Sequence, residues 1–335
     1  MAIVQQAARS RPMLYAIPAL FAGLLLLVWG AERAVQGSTL LAARAGLPPM
    51  LTGLVVLGFG SAAPELAVAL TAATQGHPAL ALGSAWGANI VAMSLVLGVV
   101  LWKVPLTVRS HGLRRELPLL LAATVLTAAL VWDGVLSRVD AGLLLLGFVA
   151  LLVWSWRLQQ RSGDDALALE TRAEMASQPG SVMAALLSVL AGTGSLVGGS
   201  MLLVWGAVET AVWLGVSDLI LGLGVVALGT TLPELATCMV AARKGEHEIA
   251  LGQILGAGLF NTLAVAGLAG LIEPMDLPVQ VLWRDLLVMA VLALGLYRLA
   301  RDAEGPARLG RRAGQALVGV YLLHTAALLV TSGPG

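Results

Sequence analysis

The chain has 335 residues, 58% hydrophobic and only 12% charged, with a mean hydropathy of +0.88. A soluble globular domain carries roughly 25% charged residues, so this composition excludes one and describes an integral membrane protein. A net charge of +1 without any basic tract gives nucleic acid nothing to bind, and a single cysteine, Cys238, excludes an internal disulfide.

At about 20 residues per helical span, the length accommodates some ten spans. The apolar runs are continuous and rich in Leu, Ala and Val, whereas barrel strands alternate apolar with polar residues, so helices are expected. The runs place spans at 13–30, 48–74, 79–102, 116–133, 138–157, 182–208, 214–242, 248–272, 281–299 and 312–331. The first follows Arg9 and Arg11 as a signal peptide would. It lacks a small-x-small cleavage site after its core and has a counterpart at 182–208, so it reads as a retained helix.

The second span holds Gly58-Phe-Gly-Ser-Ala-Ala-Pro-Glu65, and the seventh holds Ala227-Leu-Gly-Thr-Thr-Leu-Pro-Glu234. The offset of 169 residues persists without a gap: Gly76 matches Gly245, Gly83 matches Gly252, Gly87 matches Gly256 and Gly98 matches Gly267. Between the fifth and sixth spans lies a polar linker, 158–180, carrying Arg161, Asp164, Asp165, Glu170, Arg172 and Glu174. The chain therefore divides into a first five-helix unit (1–157), a linker (158–180) and a second unit (181–335). The internal repeats occupy about 50–102 and 219–272.

Lys and Arg set orientation, because they accumulate on the cytoplasmic side. With the N-terminus outside, sixteen of the twenty fall inside; only Arg9, Arg11, Arg138 and Arg284 fall outside. Both termini are then outside and the linker inside. Five spans per unit force the two units into opposite orientations, the inverted-repeat plan that transporters use around a midplane site.

An acid at the centre of a span costs about 2.5–3.5 kcal/mol, and this chain carries one in each repeat. Pro64 and Pro233 each free a carbonyl four residues earlier, at Gly60 and Gly229. In a bilayer a freed carbonyl must find a partner or line a cavity. Beside these carbonyls stand the hydroxyls of Ser61, Thr230 and Thr231, then the carboxylates of Glu65 and Glu234. Such hard oxygens suit Ca²⁺, Mg²⁺, Mn²⁺ or Na⁺. No Lys or Arg lies within the spans concerned, so two carboxylates remain to balance one divalent ion. Elsewhere, Cys238 reads as packing, His77 and His247 as solvated turn residues, and His111 as part of a basic loop. His324 in the last span has no partner in view, and most of the nine Trp read as interfacial anchors.

The paired Gly-(Ser/Thr)-x-x-Pro-Glu motifs, each followed by a glycine-rich helix start, resemble the α-repeats of the calcium/cation antiporter superfamily, which includes the sodium/calcium exchangers. The resemblance implies that Glu65 and Glu234 are the central cation ligands, joined by Ser61, Thr230, Thr231 and Asn261. The chain departs from the family pattern at Ala62, Ala88, Ala92 and Ala257, where oxygen-bearing side chains are usual. The absent ligands are mainly those that family members use for sodium. A proton could take its place, because two close carboxylates in a low dielectric resist carrying two full charges.

The expectation is an all-α membrane protein with ten transmembrane helices as two inverted-topology five-helix repeats. It would be a monomer in a prokaryotic plasma membrane, with inorganic cations and the lipid bilayer as its partners. It would exchange Ca²⁺ or another divalent cation for Na⁺ by alternating access, with no cofactor besides the transported ions. Alternatives are an H⁺-coupled exchanger and a non-transporting homologue serving as scaffold or sensor. No Ser/His, His-rich or Asp-pair constellation suggests an enzyme.

Overall fold

Runs of Leu, Ala, Val and Gly with few charges favour helix wherever backbone groups must be satisfied without water. The computed structural model describes residues 2–44, 49–108, 111–161, 181–244, 247–301 and 307–331. In chain order the helices are α1 (Ala2–Arg44), α2 (Pro49–Thr74), α3 (Pro78–Lys103), α4 (His111–Leu130) and α5 (Arg138–Arg161), then α6 (Val182–Leu214), α7 (218–244), α8 (247–272), α9 (281–301) and α10 (Arg311–Thr331). Four short strands accompany them: β1 (Leu106–Val108), β2 (Val135–Leu136), β3 (Met275–Asp276) and β4 (Ala307–Leu309).

Among the described residues, five segments are long and apolar enough to cross a bilayer: Tyr15–Ala34, Pro78–Lys103, Val182–Leu214, Ala250–Ile272 and Arg311–Thr331. A sixth is α7, whose parts Asp218–Leu232 and Glu234–Arg243 meet at a 45° bend. The chain is a multi-pass membrane protein. Its helices outrun the apolar windows of the sequence. α1 runs from Ala2 rather than 13, and α6 continues to Leu214, where Gly215 ends it in the left-handed region at φ 67°. Most of the polar linker, 162–180, lies outside the described residues.

α3 and α8 form the buried centre, with 89% and 83% of their most apolar windows buried, against 17% for α6 and 22% for α10. Both are built alike. α3 has 14 α-helical residues (Pro78–Val91), 5 in π-helix (Ala92–Val96) and 7 more in α-helix (Leu97–Lys103). The same lengths of 14, 5 and 7 recur 169 residues later, at His247–Phe260, Asn261–Val265 and Ala266–Ile272.

On one side of this centre α1 and α6 lie antiparallel along a seam of small residues. Ala16 faces Gly206, Gly23 faces Gly199, Gly30 faces Gly192 and Gly37 faces Ala185. A methyl placed on Gly23 would stand 2.7 Å from the Gly199 carbonyl oxygen, so the two backbones touch and only glycine fits. The strands make two antiparallel ribbons. Leu106 of β1 pairs with Leu309 of β4, and Leu136 of β2 with Met275 of β3.

Three histidine assignments change. His324 is buried, and its Nε2 lies 2.9 Å from Asp285 Oδ1; Arg284 grips the same carboxylate through two bonds of 2.7 Å. Asp285 is wholly buried and needs both partners, which sequence spacing did not reveal. His77 pairs with Asp218 at 2.7 Å, and His247 Nδ1 accepts from the Thr107 amide at 3.0 Å. Both therefore anchor helix ends instead of being simply solvated. Trp29, Trp102, Trp132, Trp205, Trp213 and Trp283 are exposed, as interfacial anchors should be, but Trp86 is completely buried in α3.

Candidate functional site

Four helices converge on the two acids. α2 carries Glu65, α7 carries Thr230, Thr231 and Glu234, α3 carries Ser84 and Asn89, and α8 carries Asn261 and Thr262. Glu65 is fully buried and Glu234 is 4% exposed, although they are far apart in sequence. They are close enough for the charge of Glu65 to act on Glu234. Thr230 stands beside Glu65.

The hydroxyls keep capacity for a ligand. Thr231 Oγ1 donates to the Ala227 carbonyl at 2.6 Å, while Thr230 Oγ1 divides weakly between Val226 and Ala227 carbonyls at 3.2 and 3.3 Å. In each case the proton is committed to the backbone and the oxygen lone pairs remain free. Just upstream, Gly222–Val226 is in π-helix, so the backbone carbonyls entering this segment are offset from the α-helical ladder.

The ion pairs among the described residues are His77–Asp218, Arg284–Asp285 and His324–Asp285; none involves Glu65 or Glu234. Both oxygens of Glu65, Oδ1 of Asn89, Oδ1 of Asn261 and Nε1 of Trp86 are buried without a hydrogen-bond partner among the described residues. Buried polar atoms are ordinarily paired, so four orphaned acceptor oxygens on α2, α3 and α8 require an explanation. Ala62, Ala88, Ala92 and Ala257 in the same helices are all buried and carry no oxygen on their side chains.

Of the residues expected from sequence, Glu65, Glu234, Thr230, Thr231 and Asn261 are all buried in these helices. Gly229 lies on α7 under α1, where an added methyl would meet the Leu24 side chain at 2.8 Å. Gly60 and Ser61 lie within α2, but the Ser61 side chain is outside the described set. Sequence reasoning did not single out two polar contacts. Asn89 reaches across to α8, and Gln253 Nε2 donates to Thr237 Oγ1 at 2.9 Å beside Cys238. Cys238 is more than packing, with Sγ 3.5 Å from the Ala250 carbonyl. The available signal was position: Asn89 and Gln253 both sit in the glycine-rich starts of the repeated helices.

The sequence profile of the sodium/calcium exchanger protein family matches residues 15–157 and 184–330. The chain belongs to this family. Its relatives include CaxA of Alkalimonas amylolytica, 37% identical over 92% of this chain and 97% of that protein. The inner membrane protein YrbG of Escherichia coli K12 is also 37% identical, over 94% of this chain and 97% of its own length. A solved structure of the sodium-calcium exchanger NCX_Mj, soaked with Na⁺ and Sr²⁺, aligns with a TM-score of 0.63 at 25% identity. That alignment covers 94% of this chain and 99% of that one. The match across both halves of the exchanger family profile includes every helix that contributes to the site.

Proposed function

We propose that this exchanger-family chain is a cation antiporter carrying Ca²⁺ or another divalent ion against Na⁺, with Glu65 and Glu234 as the two anionic ligands. The observation that carries this reading is a pair of buried carboxylates, close enough for one charge to act on the other, with no cationic side chain paired to either among the described residues. Two carboxylates balance one divalent ion, and Thr230, Thr231, Asn261, Ser61 and the carbonyls of Gly60 and Gly229 add neutral hard oxygens. An emptied site leaves two uncompensated charges facing each other in a low dielectric. The passage between inward- and outward-open states is then disfavoured unless a replacement ion enters, which makes transport an obligatory exchange.

Ten spans in two inverted five-helix repeats accommodate this chemistry, with both termini outside and repeats at about 50–102 and 219–272. Three observations support that plan: the matched segmentation of α3 and α8, the antiparallel α1–α6 seam, and two ribbons that each join one half to the other. The test is ⁴⁵Ca²⁺ flux in proteoliposomes with an outward Na⁺ gradient. Glu65→Gln and Glu234→Gln should each reduce uptake to the level of protein-free vesicles. Normal uptake by either variant removes it from the site.

The methyls at Ala62, Ala88, Ala92 and Ala257 favour a second reading, in which H⁺ replaces Na⁺ as the coupling ion. Uptake driven by a pH gradient in sodium-free buffer would establish it, and strict dependence on Na⁺ would exclude it. Absence of flux under either gradient, in folded protein, would leave the scaffold or sensor reading.

A further inference from the structure

The side chain of Asn89 crosses between the repeats. Its Nδ2 donates to Thr262 Oγ1 at 2.8 Å and to the Gly258 carbonyl at 3.2 Å, while the Thr262 hydroxyl donates to that same carbonyl at 2.7 Å. Gly258 is the residue 169 positions beyond Asn89, its counterpart in the second repeat. A residue that touches its own counterpart lies on the axis relating the repeats. Glu65 and Glu234 are also counterparts, and they lie close enough for the charge of Glu65 to act on Glu234.

The amide cannot be turned round. A carbonyl oxygen only accepts, so the nitrogen must point at Gly258 and the oxygen must point away from it. That oxygen has no partner among the described residues, on a side chain that is 1% exposed. The second repeat cannot supply an equivalent group, because Gly258 has no side chain. A methyl there would lie 3.2 Å from Leu120 Cδ1 and 3.9 Å from Asn89 Oδ1. Instead the second repeat offers Asn261, whose amide oxygen is also buried without a partner among the described residues. The first repeat has Ala92 at the position matching Asn261.

We propose that Asn89 supplies the neutral oxygen ligand of the first repeat to the transported cation, held in place by Thr262 and the Gly258 carbonyl. The ion then meets one amide oxygen from each repeat, drawn from non-equivalent positions, together with the two carboxylates. This arrangement restores in the first repeat an oxygen that Ala88 and Ala92 lack. It rests on the reading of Glu65 and Glu234 as the cation carriers.

Asn89→Leu, close to isosteric and apolar, removes the oxygen. Thr262→Val leaves the oxygen present but loosens its support, since only the longer bond to Gly258 then holds the amide. Both are reconstituted beside wild type and Glu234→Gln, and Ca²⁺ uptake is fitted for KM and Vmax. Thermal protection by CaCl₂ in detergent gives an independent apparent affinity. Loss of a ligand or of its support raises KM by on the order of tenfold, with a smaller rise for Thr262→Val and little change in Vmax. Wild-type KM in folded Asn89→Leu overturns the proposal, as does a variant that loses stability while keeping KM. If Asn89→Leu does not fold, Asn89→Ser is judged by the same KM criterion. An inactive Glu234→Gln beside an unaffected Asn89 variant refutes only the role of Asn89. A fully active Glu234→Gln refutes the site on which it depends.

Discussion

Gly23→Ala tests the α1–α6 seam. The added methyl would stand 2.7 Å from the Gly199 oxygen, 2.8 Å from the Leu203 nitrogen and 2.9 Å from Leu203 Cβ, where ordinary contact begins at 3.4 Å. All three atoms belong to the backbone or to a Cβ, so no rotamer change relieves them. The helices must part by roughly 0.5–0.7 Å, and a gap of that size forfeits about a quarter to a half of each dispersion contact along the seam. Overpacking of this kind costs about 1–3 kcal/mol, against which alanine returns up to about 1 kcal/mol of helix propensity. A net loss of about 1–2 kcal/mol is expected, measured by equilibrium unfolding in mixed SDS micelles. Gly194→Ala is the internal control: it lies on the partner helix α6, is exposed, and has no neighbour within 4 Å of the new methyl. It should be neutral or slightly stabilising. Equal stability of Gly23→Ala and wild type, or equal damage from Gly194→Ala, would refute the close-contact argument.

Thr71 Oγ1 bonds Ser200 Oγ at 2.7 Å, and since Ser200 donates to the Val197 carbonyl, Thr71 is the donor that ties α2 to α6. Thr71→Val should lower stability by about 0.6 kcal/mol, up to about 1.7 kcal/mol, in the same unfolding assay, while leaving the KM for Ca²⁺ unchanged. Asp285→Ala strands Arg284 and His324 in a buried environment and should cost about 3–5 kcal/mol, seen as loss of monodisperse protein in detergent. His324→Gln should be much milder, because the two-pronged Arg284 grip remains. Together with the glutamate and Asn89 substitutions, these variants separate damage to packing from damage to the ion path.

The repeat was legible because its evidence is local: a Pro-Glu pair within an apolar run and glycines at a constant offset. Burial of both glutamates follows from that reading, and the structure brings them together. The π-helical stretches were not legible. They arise from a one-residue shift in the backbone ladder, and Ala92-Met93-Ser94 and Asn261-Thr262-Leu263 share no composition that would signal it. The ribbons were hidden for a related reason, since strands of two or three residues are defined by a partner far along the chain. The α1–α6 seam also came from the structure: the seven-residue spacing of Gly23, Gly30 and Gly37, and of Gly192, Gly199 and Gly206, names no partner helix by itself. Asn89 was visible as a letter, but its partners, the Thr262 hydroxyl and the Gly258 carbonyl, lie on the other repeat, at a distance along the chain that no local pattern records.

The two ribbons also constrain the order in which the protein can be completed during synthesis. β1 and β2 are translated with the first half, yet β1 pairs only with 307–309 and β2 only with 275–276. Until the ribosome has passed those residues, neither strand has its ladder partner, which among the described residues comes from the second half. The helices of the first half can form, but neither ribbon can close. The β2–β3 ribbon waits for the end of α8, and the β1–β4 ribbon for the approach to α10. A nascent chain stopped between 276 and 307 would hold the β2–β3 ribbon and lack the β1–β4 ribbon.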